Sequence, residues 1–165
     1  MIIGHLPSGY IASKLLARKI SNNRINITVF IAFGMLGGVA PDFDMLYFHI
    51  IDNRQHHHHT YWPHFPALWV VLLLLCTIWY RVSSIKRVPI YGLIFSACGF
   101  MHLLLDSIVG DVWWFAPFVD KPYALFIVPT LYQPWWLNFI LHWSFVLEMI
   151  VVLWAIFLWK KNDKN

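Results

Sequence analysis

Charge is what this sequence has least of. Twelve basic and eight acidic residues in 165 make up 12% of the chain, too few to solvate the surface of a soluble globule of this size. Cysteine is nearly absent. Cys76 and Cys98 lie inside apolar runs without CxxC or Cys/His spacing, which excludes a disulfide frame and a zinc finger and reads both as small buried hydrophobes. No Walker loop, dinucleotide fingerprint, GxSxG or HExxH occurs, so the common nucleotide, serine-hydrolase and zincin chemistries are out. The basic residues form no stripe, and no nucleic-acid partner is expected. The first residues lack the basic start, apolar core and small-residue cleavage site of a removable signal, so insertion is expected to rely on the mature spans.

What is present is hydrocarbon. Apolar residues are 59% of the chain, mean hydropathy is +0.60, and the apolar residues come in long runs, which indicates an integral membrane protein. At 165 residues there is room for one domain, residues 1–165. Segment 5–20 is amphipathic, 25–39 is apolar and carries Gly34, Gly37 and Gly38, and a turn at 21–24 joins them. They predict an N-terminal helical hairpin whose glycines allow close approach. Three longer spans are expected at 66–80, 89–109 and 134–159, with a loop at 110–133 whose apolar middle grazes the membrane surface. The fold class is therefore all-α, an integral membrane helical bundle. Tryptophans near the ends of the runs (Trp62, Trp79, Trp113, Trp114, Trp135, Trp136, Trp159) read as anchors at the headgroup boundary.

The basic residues orient the bundle. Lys14, Arg18, Lys19, Arg24, Arg81, Lys86, Arg87, Lys160, Lys161 and Lys164 fall on one side, expected to be cytoplasmic, and only Arg54 and Lys121 on the other. Placing His5 at the opposite side from the basic turns brings all nine histidines to the non-cytoplasmic face. Asp42, Asp44, Asp52, Asp106, Asp111 and Asp120 join them there.

The chemistry concentrates in residues 40–64, which hold Asp42, Asp44 and six histidines between two apolar segments. Such a density of imidazole and carboxylate costs solvation energy unless something binds it, and a divalent metal is the obvious ligand. His102 and Asp106, spaced i, i+4, share one helical face and could clamp an ion; the alternative is a plain His-Asp hydrogen bond between buried groups. Asp42 and Asp44 bracket a phenylalanine and would both turn inward if extended, where a cation would relieve their repulsion; the alternative is helix-terminal turn chemistry. The run His56 to His59 is a ligand source or a solvated low-affinity stretch. His64, between two prolines, is better fixed. His142 could join the site or support it. Glu148 lies deep in the last span and reads by default as a structural hydrogen-bonding group.

With His5, PDFD at 41–44, HHTYWPH at 58–64 and HLLLDSIVGDVWWFAPF at 102–118 in order, the chain resembles the YdjM-like family of inner-membrane metal-dependent hydrolases over residues 1 to about 118. The resemblance implies an all-helical membrane domain with a metal centre whose ligands are His5, Asp42, Asp44, His58, His64, His102 and Asp106. Where the family tends to His-Arg this chain has His58-His59, and where it has Thr-His-Ser this chain has Pro63-His64-Phe65. A phosphate contact by the family's arginine would pass to Arg54 or to protonated His59. The HxxxD element is also similar to that of zinc-dependent phospholipase C enzymes, an analogy that supplies only a reaction class.

The expectation is thus an inner-membrane hydrolase of an ester or phosphoester, with a lipid or lipid-linked substrate implied by location. It would use water activated by zinc, one ion or two, with His59 as the proton donor to the leaving group. The rival reading is a non-catalytic membrane protein that binds, senses or transports a divalent cation, or a helical scaffold.

Overall fold

The computed structural model describes residues 3–20, 25–134 and 136–162. The turn at 21–24 with Arg24, and Trp135 and Lys164, lie outside the described residues. Within them the chain is all-α, with one isolated antiparallel bridge between Val112 and Tyr123. The helices are α1 (His5–Ala17), α2 (Ile27–Val39), α3 (Asp44–Ile50), α4 (Pro66–Val82), α5 (Arg87–Asp106), α6 (Trp136–Ile140) and α7 (Ser144–Asn162). Short 3-10 turns cover Pro41–Phe43, His58–Thr60 and Trp62–His64.

Local chemistry accounts for the helix starts. Asn26 caps α2 by accepting the Val29 N–H on its side-chain oxygen at 3.2 Å. Pro66 opens α4, where its missing N–H costs nothing. The start of α1 is capped from another helix: Glu148 on α7 accepts the backbone N–H groups of Ile3 and Gly4 at 2.7 and 3.1 Å. Glu148 is thereby a structural hydrogen-bonding group, the role its depth implied.

α2 packs against both α1 and α5, α4 packs on α5, and α7 on α1. The glycines of α2 permit this spacing. A methyl group at Gly34 would sit 2.6 Å from the Ser13 Cβ of α1, and one at Gly37 would collide with the Phe95 carbonyl of α5. On α5, Gly99 takes the face of the buried Trp69, whose Nε1–H donates to the Pro63 carbonyl at 2.7 Å and so ties α4 to the turn before it. Ala17, Phe30, Ile94 and Cys98 form the apolar core at the other end of these helices.

The expected spans are met only in part. α4 has 17 residues and rises roughly 26 Å, short of a hydrocarbon core of about 30 Å. The span expected at 134–159 is two helices, broken at 141–143. There a His142 ring nitrogen makes a hydrogen bond with the Ser144 hydroxyl at 2.9 Å and lies 3.4 Å from the Ser144 N–H, a local side-chain turn that competes with helix continuation. Among the described residues α5 alone is long and apolar enough to cross a membrane; α2 and Pro41–Ile50 qualify only as one span bent by 57°. What survives is the helical hairpin and an arrangement that brings the start of α1, the end of α2, the start of α4 and the end of α5 to one end.

Because the obstacle at Gly37 is backbone, Gly37→Ala should lose about 1–3 kcal/mol to overpacking, more than the roughly 1 kcal/mol of helix propensity it gains. Its unfolding midpoint in detergent should fall. Gly92→Ala, whose neighbour is the movable Cys76 sulfur, should change the midpoint less.

Candidate metal centre

One turn apart on α5, His102 and Asp106 approach to 2.9 Å between Nε2 and Oδ2, both buried. The other ring nitrogen of His102 donates to the Gly38 carbonyl of α2 at 2.8 Å. A carbonyl can only accept, so Nδ1 carries a proton, and Nε2 is the nitrogen that turns toward the carboxylate. His5, at the start of α1, stacks on His102 with ring centroids 3.6 Å apart and brings its Nε2 to 3.0 Å from Asp106 Oδ1.

The connection between α3 and α4 supplies the rest. His59 donates Nδ1–H to the Asp111 carbonyl at 2.7 Å and points Nε2 at Asp106 Oδ2, 3.8 Å away. His64 donates Nδ1–H to Asp44 Oδ2 at 2.5 Å, and its Nε2 is 3.8 Å from both Asp42 Oδ1 and Asp106 Oδ2. Asp42 Oδ1 is in turn 3.6 Å from His102 Nε2. Separations of 3.6 to 3.8 Å are too long for hydrogen bonds, and suit two donors each about 2.1 Å from a shared ion.

Three histidines therefore repeat one device: Nδ1 is tied from behind to an oxygen, and Nε2 faces Asp106. That is the outer-shell arrangement that orients metal-ligating imidazoles. The Nε2 atoms of His64 and His102 are buried and make no hydrogen bond, a cost that a bound cation removes. Donor atoms within 4.8 Å of one another define three overlapping groups that could hold an ion, His58/His59/His64, His5/Asp42/His102 and His64/His102/Asp106. Burial pushes the imidazoles of His58, His59 and His64 down to about 2, about 3 and about 4, and neighbouring imidazoles add to it. All three are neutral at physiological pH, the state in which imidazole binds metal.

Of the seven expected ligands, His5, Asp42, His58, His64, His102 and Asp106 fall in these groups. Asp44 falls outside them. The PDFD segment is a 3-10 turn running into α3 rather than an extended strand, so residues two apart diverge, Asp42 toward the histidines and Asp44 behind His64. His59, expected to donate a proton, is held neutral and sits among the ligand-capable groups. His56 is exposed and paired with Asp52 at 2.7 Å, and His142 bonds Ser144. Reasoning from sequence missed the Gly38 and Asp111 carbonyls, since backbone acceptors leave no mark in side-chain patterns.

A cleft of about 600 Å³ reaches this cluster, with Asp42, His58, His59 and Asp106 in its wall. Asp42 is the most open of the ligand-capable carboxylates, its side chain 36% exposed against 2% for Asp106, so a position beside Asp42 is reachable by water.

If Asp44 orients His64, Asp44→Asn should weaken binding of a divalent metal by about 10- to 100-fold without abolishing it. Asp42→Asn, which alters a ligand-capable oxygen, should weaken it further, as read by competition with a chromophoric chelator.

No curated protein and no solved structure matches the chain. The family model described as YdjM inner membrane protein matches residues 1–162. The chain, with its histidine and aspartate cluster at one end of a helical bundle, belongs to the YdjM inner membrane protein family.

Proposed function

We propose that this protein is a membrane-bound metal-dependent hydrolase acting on an ester or phosphoester. The observation that carries the reading is the convergence of the Nε2 atoms of His5, His59, His64 and His102 on the Asp106 carboxylate, beside a cleft that leaves Asp42 open to water.

The mixed imidazole and carboxylate donors suit zinc, and three overlapping groups sharing His64 and His102 suit two ions. Asp106 would lie at the centre, with His5, His102 and Asp42 to one side and His58, His59 and His64 to the other. When bound, zinc supplies Lewis-acid polarisation of the scissile group and lowers the pKa of a coordinated water toward ~7. The chain's own residues hold the ligands and shape access. Asp44, Gly38 and Asp111 fix ring orientation, and the buried helix ends exclude bulk water from all but the Asp42 side. His59 serves here as a ligand, since an imidazole held near 3 brings no proton to a leaving group at neutral pH.

The helix ends support an orientation in the membrane. Lys14 lies in the last turn of α1, Arg81 in that of α4, Lys160 and Lys161 in that of α7, and Arg87 opens α5, all away from the cluster. With basic ends cytoplasmic, the cluster faces the non-cytoplasmic side.

Cation transport is disfavoured by a specific contact. A through-path needs polar groups deep in the bundle, and the carboxylate of Glu148 is engaged by the start of α1.

His102→Ala and Asp106→Ala should each reduce bound zinc in purified protein at least tenfold and abolish hydrolysis of a chromogenic ester, which chelation should also remove and added zinc restore. Native zinc content in both variants would end the hydrolase reading.

A further inference from the structure

The cleft over the metal-capable cluster has two unlike walls. One is polar, with Asp42, His59, Asp106 and Asp111; the other is apolar, with Met45, Val109, Phe126, Ile127, Val128 and Phe139. An acid-and-imidazole floor suffices for a small water-soluble ester. The second wall is surplus to that task, and Ile127, on its rim, is 85% exposed. The same loop also exposes Phe118, Leu125 and Leu131, a density of bare apolar side chains that fits contact with lipid rather than water. Apolar rim and polar floor are therefore continuous with a bilayer surface.

Among the described residues lining the cleft none is lysine or arginine. Asp42, Asp106 and Asp111 contribute negative charge that a bound cation would offset, so an anionic headgroup would be met by the metal rather than by a cationic side chain. The larger cleft, about 820 Å³ between Leu36, Tyr47, Trp62, Leu72 and Phe95, meets the site only at Asp44. That carboxylate is engaged with His64, so no reacting group would reach a ligand-capable atom from there.

We infer that the cleft binds a membrane lipid, its chain against Phe126, Ile127 and Phe139 and its ester or phosphodiester beside Asp42 and Asp106. This rests on the hydrolase reading for the reaction, though not for binding.

The test uses the full chain, zinc-loaded, in nanodiscs. Methyl and hexadecyl diesters of 4-methylumbelliferyl phosphate differ only in the tail. The hexadecyl diester should be cleaved with a kcat/KM roughly tenfold higher or more, the worth of one or two methylenes in an apolar pocket. Ile127→Asp should reduce that ratio to near one, Ile127→Leu should keep it, and Leu131→Asp, in the same loop but outside the cleft, should keep it too. Binding is read separately in native mass spectra. Hexadecylphosphocholine should be retained, phosphocholine should not, and Ile127→Asp should lose the retention. Equal cleavage of the two diesters with no tail-dependent retention overturns the lipid site and leaves the hydrolase standing. Tail-dependent retention lost in Ile127→Asp, with neither diester cleaved, supports the lipid site and removes the hydrolase.

Discussion

The buried carboxylate of Asp106 is the point on which the rest of the structure depends. It ends α5, is nearly inaccessible to water, and has imidazole nitrogens turned toward it from α1, from the connection before α4 and from its own helix. A carboxylate so placed loses its hydration, and the lone pairs of neutral His59 and His64 aimed at it would add repulsion. Positive charge shared among these atoms resolves both costs. The cluster thereby fixes what the surrounding helices must do, which is to bring four helix ends within a few ångströms of one another.

The glycines of α2 meet that demand. Gly37 lets the helix lie against the Phe95 carbonyl, and its neighbour Gly38 then offers its own carbonyl to His102. Close packing and ring orientation are one event at adjacent residues: a side chain at Gly37 would push away the acceptor that sets the His102 tautomer. The start of α1 is fixed by a comparable economy. Glu148 holds the N–H groups of Ile3 and Gly4, and the next residue is His5, so α7 helps position a ligand-capable group.

Much of this was legible in the sequence because helical periodicity and hydropathy act over short range. The i, i+4 spacing of His102 and Asp106 fixed their shared face, the glycines announced a tight helix pair, and the basic residues sorted the ends. The illegible parts depend on local backbone choices with small energy differences. Whether PDFD is extended or helical decides if Asp42 and Asp44 point together or apart, and both conformations suit the residues. The break at His142 turns on a side chain out-competing a helical hydrogen bond inside an apolar run, where hydropathy reads straight through. His59 and His64 look alike in sequence; their partners, a carbonyl from residue 111 and a carboxylate from residue 44, are set by tertiary structure alone.

The loop after α5 joins the two halves of the proposed activity. Leu125 and Phe126 donate to the Ser107 and Ile108 carbonyls just past α5, and Val112 pairs with Tyr123. The strip that carries Phe126 and Ile127 is therefore fastened to the residues that follow Asp106. The same loop gives the Asp111 carbonyl to His59, and Gly110 leaves room for that ring, since a methyl group there would meet His59 Cε1 at 2.9 Å. Displacing the apolar wall would thus loosen the hydrogen bond that aims His59 at Asp106. Contact of a chain with that wall and geometry around the carboxylate are coupled through four backbone hydrogen bonds. Such coupling lets apolar binding energy remote from the reacting bond help set the arrangement of the ligands.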